Sequence, residues 1–491
     1  MTVLRGGNLA ERRHVELSRE PYRAVQKTPS PVNLYPRLAN EWQKRLIAEG
    51  RWRQEDFVQA GLGDGTQRLP ESVTGACGST LRRLGHSTYT PILGEQGARQ
   101  FFSERITRKG GVKVGPSNVF LVGGSRGAVD DFFHVAANAM APEDVFFTQT
   151  PTWATYKENA WRVGRTLLTA DLEQDPRSAY KPMTAESLAS ALERHPEIGC
   201  VVIVDPHNPT GFILSEAEAI RMARVLANWH GFVLQDSTYA DVTYGQQHVS
   251  LLSAAEHLSG AERKSLLGRL GIIHGTQKLS LSGERIALVV IADAALAGAY
   301  EAQMTAGRGA ASRAAQETAV ALYSDEEAIA GMVAELQKRR VELSLVRMRT
   351  NELFRARFIS ALGNGQAVVP DVMAASTVCD VHADPKVPGG GFYSVERFGR
   401  FVADVIPPAL RGPGGGLKED SLMRFLLEEA AIVTQPSSAM LSGNGLELRV
   451  SFGAADAESL RRIPGRIVDA LMRNIRPEEF VKSVARQYGY A

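Results

Sequence analysis

The chain has 491 residues, 44% of them hydrophobic and 22% charged, the balance of an ordinary folded protein and not of a disordered or fibrous one. Lys plus Arg number 56 against 54 Asp plus Glu, so no net field gathers a phosphate polymer or an anionic membrane. At roughly 150 residues per domain, the length predicts two to three domains.

Three cysteines, Cys77, Cys200 and Cys379, are odd in number and far apart. That pattern gives neither a disulfide framework nor a paired-cysteine zinc site, and it fits a reducing compartment. The opening MTVLRGGNLAERRH lacks the apolar core of a signal peptide, and the longest apolar run, IALVVIADAALAGAY, is broken by Asp293. Together these features predict a cytoplasmic protein.

Residues 1–50 are polar, carry Pro21, Pro29, Pro31 and Pro36, and end in a helical stretch from Leu38 to Glu49; they read as an arm. From about Asn118, short apolar runs bounded by Gly, Asp or Pro alternate with helical periodicity, the sign of a parallel sheet. NVFLVGG, DVFFTQT, TLLTA, CVVIVD and FVLQD read as strands, with helices at Arg126 to Met140, Glu186 to Arg194 and Ser215 to His230. IIHGT and ALVVIA follow, and their short connection allows a hairpin. Beyond Asp293 the chain turns helical, with a long helix from Glu327 to Arg357, and a smaller α+β domain is expected over 336–491 after a large domain over 51–335. The Gly-rich loop around Gly412 to Gly416 reads as a surface insertion.

Polar residues cluster at the carboxyl ends of these strands, where open parallel sheets place their ligand crevice. They are GGSRGA (123–128), PTW (151–153), HNPTG (207–211), DSTY (236–239) and HGTQK (274–278). GGSRGA leaves backbone amides and a hydroxyl at a helix N-terminus, a ready anion site, though it matches neither the dinucleotide fingerprint nor a P-loop. Asp236 and Lys278 are opposite charges at the ends of apolar strands, where burial demands a partner, and a bound cofactor is one such partner.

Taken together, Asn208-Pro209-Thr210-Gly211, Asp236 with Tyr239, and Lys278 followed by Arg285 resemble the fold-type I, class I/II aminotransferases that use pyridoxal phosphate. YTPILGEQGAR, PTWATY, GGGFYSV and LELRVSF extend the resemblance over roughly residues 85–470, and KLSLSGERIALVV is similar to valine-pyruvate aminotransferases. The resemblance implies an α/β fold with a mostly parallel seven-stranded sheet, and a homodimer.

It also implies roles for individual residues. Lys278 forms the internal aldimine and then moves the α-proton, while Asp236 keeps the pyridine nitrogen protonated. Asn208 and Tyr239 bond the ring's phenolic oxygen, and Trp153 stacks on the ring. Ser125, Arg126, Arg285 and Tyr89 of a second subunit hold the phosphate, and Arg449 binds the substrate carboxylate.

Some positions depart from the family pattern. Gly275 stands where many members have Ser, leaving Thr276 as a replacement phosphate ligand, and Ala287 stands where a glycine is usual. The arm and the loop at 404–417 are additions. These departures keep open a specialised reaction such as elimination, replacement or cyclisation, with S-adenosylmethionine among the substrates considered.

His207 and His274 have no carboxylate partner visible in sequence and read as loop or packing residues. No metal motif is present. Lys338, Arg339 and Arg340 read as a solvated patch on a long helix. A ligand-sensing regulator would need a DNA-binding domain, for which the first 50 residues are too short and too neutral. A degenerate scaffold would be expected to have lost Lys278 or Asp236.

Overall fold

A computed structural model describes residues 31–488 except 62, 77–88, 111, 177, 363–368, 379–387, 412–415, 419 and 443–444. The readings placed on residues 1–30, Cys77, Cys379 and most of the loop around Gly412 fall outside the described residues.

Seven strands form the main sheet: β1 (Val119–Val122), β2 (Val145–Thr150), β3 (Leu167–Asp171), β4 (Ile198–Val204), β5 (Phe232–Ser237), β6 (Leu270–His274) and β7 (Ala287–Val290). Their order is β1-β7-β6-β5-β4-β2-β3. Every pair is parallel except those of β7, which runs antiparallel to both β6 and β1. β1, β4 and β7 are buried along their whole length, which is why they read as unbroken apolar runs without alternation. The hairpin allowed by sequence is the β6–β7 pair, in register from Ile272↔Val290 to His274↔Leu288. Its connection, residues 275–286, carries Lys278 and Arg285.

Helix α1 (Pro31–Ala48) precedes this sheet in the chain, and α2 (Ser125–Ala139) follows β1 directly. Phe133 of α2 stacks on Phe146 of β2 with ring centroids 4.0 Å apart. Phe132 presses onto β6 at Gly271, where an added Cβ would lie 2.4 Å from the ring, so the glycine is what lets helix and sheet meet. Cys200, in β4, is a buried free thiol whose pKa burial pushes up, leaving it inert. Further helices flank the sheet, among them α3 (Thr155–Arg162) and α4 (Glu216–Ala227), the latter capped by Ser215 accepting from the Glu218 amide.

A 37-residue helix, α5 (Glu326–Leu362), leads to an antiparallel sheet of β8 (Met373–Ser376), β9 (Tyr393–Phe398), β10 (Gln435–Pro436) and β11 (Glu447–Ser451), in the order β8-β9-β11-β10. Position 336 lies inside α5. The solvated reading of its basic run is corrected here. Lys338 is exposed, but Arg339 and Arg340 are 6% and 5% exposed because α5 turns them inward. Arg339 donates to the Gly453 carbonyl at 2.8 Å, and Arg340 lies over the Tyr244 ring.

Two further helices, α6 (Ser421–Ala430) and α7 (Ala457–Asn474), pack beside this sheet. The described part of the arm is helical. α1 lies on α6 through a shared cluster of Ala39, Leu46, Phe57, Leu427 and Val433, and Arg45 donates to Glu428 at 2.9 Å. Burying a side chain such as Leu46 contributes about 1.5–3 kcal/mol, enough to hold a short arm in place. Among the described residues no helix is long and apolar enough to cross a membrane.

Candidate active site

The carboxyl ends of β1, β2, β4, β5 and β6 point to one edge of the main sheet, and there a cavity of about 450 Å³ opens toward β10 and β11. Ser125, Arg126, Trp153, Asn208, Asp236, Tyr239, Lys278, Arg285 and Arg449 all line it.

One end of the cavity is cationic. Ser125 begins α2 after Gly124, whose φ of +87° is a conformation that disfavours other residues. A Cβ on Gly124 would sit 2.9 Å from the Arg285 guanidinium, so the bare glycine lets Arg285 lie over the helix N-terminus. Burial lowers the pKa of Arg126, Glu158 opposes that shift, and the neighbouring charge of Arg285 adds to it. Two guanidiniums at a helix start, each raising the cost of the other, form an anion site. Gln277 ties it together, donating to Ser125 Oγ at 3.2 Å and facing Arg285 Nη1 through Oε1 at 3.5 Å.

The middle of the cavity is set by Asp236. Its Oδ2 accepts the Tyr156 hydroxyl at 2.6 Å, and its Oδ1 accepts the Thr238 amide at 3.0 Å and the Thr238 hydroxyl. The carboxylate is 5% exposed, and both of its oxygens accept hydrogen bonds. Burial, then the charge and hydrogen bond of Asp236, hold the Tyr156 hydroxyl well above its ordinary pKa, so it remains a donor. Lys278 Nζ lies 5.0 Å from the centroid of the Tyr239 ring and 5.9 Å from that of Phe392, aromatic faces that favour a cation. The Tyr239 hydroxyl donates to that of Tyr393 at 3.0 Å and is held neutral by burial and by Tyr393.

The other end belongs to β11. Arg449 is 6% exposed and spreads its guanidinium over Tyr393, 4.3 Å from the ring centroid. One nitrogen donates to the Gly61 carbonyl at 3.1 Å, while Nε is buried with no acceptor. A buried, partly unsatisfied guanidinium facing a cavity suits a carboxylate.

Thr276 is a correction. It is fully buried and absent from the cavity wall, because its hydroxyl turns back to donate to the Ile286 carbonyl at 3.0 Å. Gln277, the next residue, faces the cavity instead. Nor is Gly275 a simple loss of a serine: a Cβ there would fall 2.4 Å from the Thr238 carbonyl oxygen. Tyr89 does not line the cavity of its own chain and is fully exposed.

His274 does have a carboxylate partner, Asp241 at 2.6 Å, supplied by the loop after β5 and invisible to spacing; this pair lies outside the cavity. His207 packs against Thr210 at 2.8 Å, and burial pushes its pKa down to about 4, so it is neutral near pH 7. Sequence reasoning missed Tyr156, Thr238, Gln277, Tyr393 and Gln435 on the wall. PTWATY, DSTY, HGTQK and GGGFY contain the first four, so their neighbours gave the available signal; Gln435 had none.

The model of the family described as aminotransferase class I and II matches residues 63–467. The chain belongs to the class I and II aminotransferase family. Members of this family depend on pyridoxal phosphate.

Among relatives, this aminotransferase-family chain is 26% identical to an aspartate aminotransferase of Bacillus subtilis over 50% of its own length and 57% of that protein's, so the match spans little more than half of that relative. It is 23% identical to an aspartate aminotransferase of Streptomyces avermitilis over 87% of its own length and 92% of that protein's. Its fold resembles the solved aspartate aminotransferase of Rhizobium meliloti, with a TM-score of 0.69 at 21% identity over 89% of this chain and 95% of the other.

The residues present fit the family's cofactor. The cationic end has the charge for a phosphate, Asp236 has the charge for a protonated ring nitrogen, and Lys278 is the one lysine among the described lining residues.

Proposed function

We propose that the chain is a pyridoxal-phosphate-dependent aminotransferase that moves the amino group of an α-amino acid to a 2-oxo acid. One observation carries the reading: Lys278 and Asp236 line a single cavity that has paired guanidiniums at one end and Arg449 at the other.

When bound, pyridoxal phosphate supplies an electron sink for the pair left at the substrate's α-carbon. The chain does the rest. Ser125, Arg126 and Arg285 would hold the phosphate, with Gln277 bracing Ser125 and Arg285. Asp236, oriented by Tyr156 and Thr238, would face the ring nitrogen and favour a proton there. Asn208, Tyr239 and Trp153, on the wall between the two ends, would hold the ring in place. Lys278, the one lysine among the described lining residues, would anchor the cofactor, and its amine would carry the proton at the substrate's α-carbon. Arg449 would hold the substrate's carboxylate at the other end of the cavity that Lys278 lines.

Tyr89, wholly exposed in the single chain, supports a homodimer in which it reaches the phosphate end of the partner's cavity.

The test is spectroscopic. Protein purified with the vitamer should absorb in the visible region, lose that band on borohydride reduction and carry the label on Lys278. Mixing with single amino acids, S-adenosylmethionine included, should convert the band to that of the amine form. A protein that binds no pyridoxal phosphate would sink the reading. Release of a leaving group without amino transfer would replace it with elimination or substitution chemistry.

A further inference from the structure

Pro36 and Gln435 line two cavities at once: the site described above and a neighbour of about 280 Å³ between α1, residues 54–61 and the segment entering β10. The wall of this second cavity is built of carboxamides, Asn40, Gln43, Gln54, Gln59 and Gln435, and none of its described lining residues is ionisable. Five amides and no charge on one small wall are a chemical signature, because each amide offers a donor and an acceptor but no counter-ion.

The amides are partly ordered among themselves. Gln59 Nε2 donates to Gln43 Oε1 at 2.9 Å, and Gln43 Nε2 donates to the Ala39 carbonyl at 3.3 Å. At the seam between the two cavities the polar groups are unsatisfied. Among the described residues the Thr434 hydroxyl and Arg449 Nε are buried without partners, and the Gln435 side chain, 4% exposed, lines both cavities. Buried polar groups left this way are costly unless a ligand completes them. The seam also adjoins the carboxylate anchor, since the Gly61 carbonyl that accepts from Arg449 belongs to the second cavity's wall.

We propose that this second cavity is the side-chain subsite, and that it selects an α-amino acid whose side chain ends in a carboxamide or ureido group. The inference rests on the site's reading as one for amino acids. A carboxamide pairs donor to acceptor and acceptor to donor with the wall. A carboxylate or ammonium would enter without a counter-charge, and an alkyl end would leave the wall amides unpaired. The helix that roofs the subsite is the arm that sequence marked as an addition, which gives that addition a task.

The test measures binding without turnover. Holoprotein is titrated calorimetrically with the monoamides of succinic, glutaric and adipic acids, with the corresponding diacids, and with alkanoates of matching length. At least one monoamide is expected to bind tenfold or more tighter than its diacid and its alkanoate. The Gln43→Met, Gln59→Met double variant should lose about tenfold for that monoamide and leave alkanoate binding within twofold. Thr434→Val, a near-isosteric change, should lose part of the same preference, which guards against a double variant that folds poorly. Equal or tighter binding of the diacid, or an undiminished preference in both variants, would overturn the proposal. Failure to exchange amino groups with any amino acid would instead overturn the function proposed above, and the two failures are read from separate experiments.

Discussion

Tyr156 donates its hydroxyl to Asp236 at 2.6 Å from the first turn of α3, a segment that follows β2, while Asp236 is the penultimate residue of β5. The acid expected to face the ring nitrogen is thus held by two strand ends at once. Thr238 takes its other oxygen. Removing the Tyr156 hydroxyl leaves a buried carboxylate oxygen short of a donor and free to turn. Tyr156→Phe is expected to lower kcat about tenfold, about 1.4 kcal/mol, with KM for the amino acid within twofold. Steady-state kinetics with the preferred amino acid would show this, and a change confined to KM would deny Tyr156 its role.

Gly275 is a more demanding case. A serine there would add a hydroxyl, but its Cβ would lie 2.4 Å from the Thr238 carbonyl oxygen and 2.8 Å from the Thr238 Cα and Cγ2. The loop would have to move, and with it the hold of Thr238 on Asp236. Gly275→Ser should therefore cost about 1–3 kcal/mol in a urea unfolding experiment and weaken retention of pyridoxal phosphate on dialysis. Tighter retention would show that the loop accommodates the change.

Much of this site was legible because its residues follow strands, and strand ends in a parallel sheet share one edge whatever the strand order. Lys278, Asp236 and Ser125 stand out for that reason, whereas Asn208 rests on the family resemblance. What spacing does not contain is which of two adjacent side chains faces the crevice. Thr276 and Gln277 are neighbours in one loop, and only the turn that commits the Thr276 hydroxyl to the Ile286 carbonyl decides between them. Long-range partners were equally hidden: His274 meets Asp241 across 33 positions, and the helical period alone did not show that Arg339 and Arg340 face inward. The contribution of α1 and Gln435 to the cavity wall joins segments almost 400 residues apart, which no local pattern reports.

The Thr276–Gln277 distinction can be tested directly. Gln277→Ala removes the group that links Ser125 to Arg285 and should raise the dissociation constant of pyridoxal phosphate by about tenfold. Thr276→Val removes a hydroxyl committed to the backbone and should lower stability by about 1 kcal/mol while leaving that constant within twofold. Fluorescence titration of the stripped protein with the cofactor reads both. The reverse ranking would return Thr276 to the phosphate.

A last prediction concerns the second sheet. Glu396 in β9 is 2% exposed, and burial pushes its pKa from 4.5 up to about 7, against the opposing effect of hydrogen bonds from Ser394 at 2.6 Å and Ser376 at 2.8 Å and of the charge on Arg347. Between those two values the folded chain holds a proton that the unfolded chain has released. Stability from this group is therefore complete below about pH 4.5 and is lost as pH rises toward 7. The loss is on the order of 3 kcal/mol by linkage. Glu396→Gln keeps an acceptor for both serines and cannot ionise, so the stability of the variant relative to wild type should rise steadily through this window and level off above it. Urea unfolding at half-unit pH steps measures the difference, and a difference independent of pH would show that Glu396 is not the group that titrates.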